Sequence, residues 1–123
     1  MILKSVVIIA PAGIYEALIR SAWPGAYEYG VFGSLADYFN SSRLQNPDVF
    51  LLISQPTAVP ATSESLEIIF EQRPNSLVAW ISDARSQLLN YRNKSSNGFV
   101  ESQIGFSDLD SLHQAILKIC DEA

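Results

Sequence analysis

The chain is short of the side chains that carry out chemistry. It has one cysteine, Cys120, and one histidine, His113, so an internal disulfide and a structural zinc site of nitrogen and sulfur ligands are both excluded. Basic residues are scarce: 8 Lys and Arg stand against 13 Asp and Glu, a net charge of −5. That balance opposes direct contact with nucleic acid or an anionic membrane and favours protein partners. No apolar stretch approaches the roughly 18 residues of a membrane span. The run from Val6 to Ala10 behind Lys4 is shorter than the roughly 7 to 15 residues of a signal-peptide core, although Ala10-Pro11-Ala12 imitates a cleavage site. A reducing, cytoplasmic setting is expected. There is no P-loop, GxGxxG, HExxH or nucleophile elbow, and no nucleophile, base and orienting group stand together, which argues against an enzyme.

What is present is apolar and orderly. Of 123 residues, 48% are hydrophobic and 17% charged, a composition that supports one core in one domain. Apolar runs of strand length alternate with stretches of helical period, the pattern of βα units wound on a parallel sheet. Five units are expected. The first strand ends at Ile9 and leads into a helix from about Gly13 to Trp23, which Pro24-Gly25 stops. Tyr27 to Phe32 alternates as an edge strand does, and Ser34 is placed to cap a helix whose Leu35, Tyr38 and Phe39, with Leu44, face inward. Val49 to Ile53 is apolar without a break, as a strand covered on both faces must be, so it is central. A helix near Ser63 to Gln72 follows, then a strand from Ser76 to Ser82 and a helix from Ala84 to Asn93. Gly98-Phe99-Val100-Glu101 reads as a short strand at the other edge. The last helix opens on the capping box Ser107-Asp108-Leu109-Asp110.

In their order and wording these elements resemble the receiver domain of bacterial two-component response regulators. Pro47-Asp48-Val49-Phe50-Leu51-Leu52 is similar to the family's third-strand phrase, and Leu77 to Ser82 to its fourth strand. Gly98-Phe99-Val100-Glu101-Ser102 resembles the phrase that carries its fifth-strand lysine. The resemblance implies a flavodoxin-like α/β fold, a three-layer α/β/α sandwich around five parallel strands in order 2-1-3-4-5, with residues 1–123 as a single receiver-like domain. The departures fall in the phosphorylation pocket. The family's acidic pair lands on Ala10 and Pro11, and its phosphoacceptor on Ile53, or on Leu52 in the alternative register, with Ser54 next to it. The lysine position is Ser102. Only Ser82 keeps the family's residue type, and the adjacent Asp83 is read as the N-cap of the helix that follows. Mg²⁺ is usually held by one or two carboxylates plus the phosphoryl group, and phosphoryl transfer depends on the charge it brings. The resemblance therefore implies a degenerate pseudo-receiver in which aspartyl phosphorylation cannot occur, with no metal and no cofactor.

The function expected on this basis is a non-catalytic, phosphorylation-independent regulatory module. It would act through protein contacts, as a homodimer or by controlling an output domain such as that of a transcriptional regulator. The resemblance places the contact face on the fourth helix, fifth strand and fifth helix, with Tyr91, Phe99, Leu109, His113 and Lys118 as candidates. Phe99 on an edge strand would join Tyr91 in that surface, since aromatic residues are enriched at hot spots. Trp80 is expected in the core and His113 on a solvated helix surface. The alternative is a small-molecule sensor using the vacated pocket at the carboxyl edge of the sheet.

Overall fold

The computed structural model describes residues 4–10, 27–53, 59–81, 87–96 and 98–122. The apolar runs form β1 (Lys4–Ile9), β2 (Tyr27–Phe32), β3 (Val49–Ile53) and β4 (Leu77–Ile81), and two further strands follow, β5 (Leu88–Ser95) and β6 (Gly98–Gly105). Three helices accompany them among the described residues: α1 (Leu35–Ser41), α2 (Val59–Gln72) and α3 (Leu109–Glu122). The strands make one sheet in the order β2-β1-β3-β4-β5-β6. The first four pair in parallel, with Lys4 opposite Tyr27, Val6 opposite Val49 and Val49 opposite Leu77. The last two are antiparallel, with Ala79 opposite Tyr91 and Tyr91 opposite Ser102.

A parallel strand between two helical layers must be apolar on both faces, and β1 and β3 obey this. One face of the sheet packs Val6, Ile8, Val49, Leu51 and Ile53 against Leu112, Ile116 and Ile119 of α3. The other packs Val7, Ile9, Phe50 and Leu52 against Tyr38 of α1 and Ile69 of α2. Polar side chains then fasten the ends. Ser5 donates its N–H and its Oγ to Asp48 Oδ2 at 2.9 and 3.3 Å, joining the amino ends of β1 and β3. Lys4 Nζ donates to the Cys120 carbonyl at 2.6 Å, and Tyr27 Oη to Asp121 Oδ1 at 2.6 Å, so the last turn of α3 is tied to the starts of β1 and β2.

The five-stranded, all-parallel sandwich is not what forms. Order 2-1-3-4 holds for the first four strands, but the segment read as a helix from Ala84 to Asn93 supplies β5 from Leu88 onward, and β6 turns back against it. The physical reason is a period of two. Leu89, fully buried, and half-buried Tyr91 point to the α3 side, whereas Asn90 and Arg92 point to the other side, so a helix would have scattered these side chains. An antiparallel return also needs only a tight turn, where a parallel strand would need a crossover of a dozen or more residues. The expected helix from Gly13 to Trp23 lies outside the described residues.

Helix starts were close to expectation. Ser34 Oγ accepts the Asp37 N–H at 3.1 Å as the N-cap of α1. Helix α2 begins at Val59, earlier than Ser63, with Pro60 in the first turn, where its missing N–H removes no helical bond. The capping box of α3 sits one residue later than Ser107: Asp108 Oδ1 accepts the Ser111 N–H at 2.8 Å, and Ser111 Oγ accepts the Asp108 N–H at 3.0 Å. The Ser111 amide, above all, holds the Asp108 carboxyl below its ordinary pKa.

Candidate functional site

The expected pocket is not brought together by the described residues. Ala10, Leu52 and Ile53 lie at the carboxyl ends of β1 and β3, buried and apolar. Pro11, Ser54, Ser82 and Asp83 lie outside the described residues. Ser102 is not at that rim at all. It pairs with Tyr91, which pairs with Ala79, so the register of the hairpin sets Ser102 level with the middle of β4, two residues short of the carboxyl rim. Among the described residues no three His, Cys, Asp or Glu side chains gather closely enough to hold a metal ion.

The candidate interface residues are also divided. Tyr91 packs half-buried against the α3-side core, while Phe99, opposite Lys94 on β5, lies on the α2 side, 48% exposed; the two cannot share one surface. Over the Phe99 ring, at 3.7 Å from its centroid, sits the Arg92 guanidinium, which also lies 4.2 Å from the Phe70 centroid. Trp80 packs edge-on against Phe70 at 6.1 Å and is half-buried at the margin of the core. Along α3, Lys118 is exposed, and Leu109 opens the helix with a side chain outside the description. His113, expected in solvent, is buried at 7% exposure. Burial lowers its imidazole pKa, with Asp110 opposing, which makes it a neutral packing residue. Cys120 is fully buried, and chiefly for that reason its thiol is pushed up to about 12, so it stays protonated and unreactive near neutral pH.

The feature that stands apart is the outer strand. Phe99 and Val100, at 48% and 52%, are with Ile68 the large apolar side chains most open to solvent among the described residues, and Glu101, Gln103 and Gly105 are exposed beside them. Sheet edges are ordinarily blunted by proline, lysine or a bulge. β6 contains no proline and no lysine, and its register with β5 runs pair for pair from Gly98 to Gly105. Its backbone polarity can be assigned. Phe106 donates its N–H to the Gln87 carbonyl at 2.9 Å, so by antiparallel alternation Ser102 and Ile104 face β5, while the N–H and C=O of Phe99, Glu101 and Gln103 point outward. On the α2 side, Trp80, Asn90, Glu101, Ser102 and Gln103 line an open depression of about 390 Å³, and Gln103 Nε2 donates to Asn90 Oδ1 at 2.8 Å across its floor.

A second concavity, about 200 Å³, lies at the amino ends of the strands between α1 and Arg73. There Arg73 Nε donates to Tyr38 Oη at 3.0 Å and the guanidinium lies over the Tyr38 and Phe39 rings, at 5.4 and 5.2 Å. Its charge is already engaged in joining α2 to α1.

Reading for βα units missed β5 and shortened β6 by half. The signal for both was Ser95-Ser96-Asn97-Gly98, four turn-forming residues in succession, with the Asn-Gly dipeptide that favours hairpins. Gly98 adopts φ +119°, a conformation costly for any residue with a Cβ. No known protein family, curated protein or solved structure matches this chain.

Proposed function

We propose that the chain is a non-catalytic regulatory module that acts through protein contacts, independently of phosphorylation, and that the β5–β6 hairpin makes those contacts. One observation carries this reading: an eight-residue outer strand that exposes Phe99 and Val100 and contains no proline, lysine or bulge. Such an edge accepts an extended segment by strand addition, in which main-chain bonds supply affinity and alternate side-chain sites supply specificity. The Arg92–Phe99 stack is formed in advance, which reduces the ordering a partner must impose.

The test is a titration of the chain with a panel of extended peptides, followed by amide resonances. Shifts should concentrate at Phe99, Glu101 and Gln103, and Glu101→Pro should abolish them. That substitution deletes an outward N–H while leaving the bonds to β5 in place, as edge strands tolerate. Binding centred on Arg73, with β6 unperturbed, would overturn the proposal.

A further inference from the structure

Resting on that reading, the residue pattern of β6 points to its partner. We propose that β6 pairs antiparallel with β6 of a second copy of this chain, about a two-fold axis through Ser102, so that two sheets join into one.

A two-fold axis normal to the sheet sets an edge strand against itself with each face continuing into the same face of the copy, and the contact is then isologous. Such an axis must pass through a residue or between residues of equal parity, so few registers exist. With the outward groups on Phe99, Glu101 and Gln103, an axis at Ser102 makes hydrogen-bonded pairs of Glu101 with Gln103 of the copy and of Phe99 with Gly105 of the copy. Val100 then faces Ile104 of the copy, and Ser102 faces its own counterpart. Each pair is complementary. A carboxylate meets an amide donor, an aromatic ring covers a glycine that leaves the edge bare, and exposed Val100 gains an apolar neighbour in half-buried Ile104.

The neighbouring registers are worse. An axis at Glu101 sets two carboxylates directly opposite, which is repulsive, and carries Gly105 beyond the start of the copy's strand. An axis at Gln103 pairs Glu101 with glycine and carries Phe99 past the copy's strand end. Ser102 is the centre that keeps every residue from Phe99 to Gly105 paired without opposing like charges. The exposed apolar residues, the outward backbone groups and the charge pattern thus converge on a second copy as occupant.

Sedimentation of the intact chain should show a dimer that Glu101→Pro converts to monomer with an unchanged circular dichroism spectrum. Ser102→Cys should form an intermolecular disulfide under mild oxidation, because facing residues at a non-hydrogen-bonded site bring their Cβ atoms to about 4.5–5.5 Å. Buried Cys120 does not compete. Glu101→Cys, whose counterpart would face Gln103, should cross-link far more slowly. A chain that stays monomeric at all concentrations, or a Glu101→Cys protein that cross-links in preference to Ser102→Cys, overturns the inference. If the chain is monomeric yet the Phe99, Glu101 and Gln103 amides still respond to extended peptides, self-pairing alone falls. If neither response is seen, strand docking falls with it.

Discussion

The sheet has two halves held together by different means. From β2 to β4 the strands are parallel, and the two inner ones, β1 and β3, are enclosed: Val6 to Ile9 and Val49 to Ile53 are all buried, with α3 on one face and α1 and α2 on the other. In β5 and β6 the strands are antiparallel, and only their α3-side residues, Leu89, Tyr91 and Ile104, reach the core. The first half owes its stability to apolar area removed from water. The second is held mainly by its ladder and by cross-strand pairs such as Arg92 with Phe99, and its other face is left to interact. The difference separates scaffold from surface within one continuous sheet.

The sharpest way to break that distinction is a matched pair of phenylalanine truncations. Phe50→Ala removes a ring that is fully buried in β3 and makes an edge-on contact with Tyr38 at 5.2 Å; it should lower unfolding free energy by about 3–5 kcal/mol. Phe99→Ala removes a half-exposed ring whose main partner is Arg92, and should cost below about 1 kcal/mol while weakening association. Equal losses in denaturant titration would show that the hairpin belongs to the core and that the proposed surface is mistaken.

The same contrast explains what could be read in advance. Burial on both faces leaves an uninterrupted apolar run, so β1, β3 and β4, the central place of β3, and the edge strand β2 were all legible. A strand half in solvent carries a weaker pattern. Leu88-Leu89 followed by polar residues fits a helical turn as readily as a strand, and the outcome turned on Leu89 and Tyr91 finding the α3 side together. The receiver-like phrase at Gly98 to Ser102 fits a short strand reached through a helix as well as it fits the second arm of a hairpin, and only the turn residues before it tell the two apart. As for the site, the edge position of Phe99 is legible, but whether it shares a face with Tyr91 depends on strand register and the burial of His113 on helix rotation, which no local phrase encodes.

Gly98 tests how far the hairpin depends on its turn. With φ at +119°, Gly98→Ala meets no steric neighbour within 4 Å, yet must hold a backbone conformation that disfavours a Cβ by about 1–2 kcal/mol. Hydrogen exchange should therefore accelerate across β5 and β6 while β1 and β3 keep their protection. Uniform acceleration over all strands would mean that the two halves open as one cooperative unit.

The smallest effect concerns how the enclosed half is closed by α3. Tyr27 Oη donates to Asp121 Oδ1 at 2.6 Å, and this bond, ahead of burial and the carboxylate's charge, pushes the phenol up to about 12. A folded-state pKa above the unfolded value near 10 means that the contribution is complete below pH 10 and is lost as pH rises from there toward 12, when the phenolate forms beside Asp121 and the bond becomes a repulsion. The site is solvent-exposed, so the bond belongs at the modest end of the range, about 0.5–1 kcal/mol. Tyr27→Phe should lower stability by that amount at pH 7, and the gap from the parent chain should close as pH rises above 10. A gap that stays constant to pH 11 would mean that the hydroxyl contributes through packing, and that the bond to Asp121 is not what fastens α3 to β2.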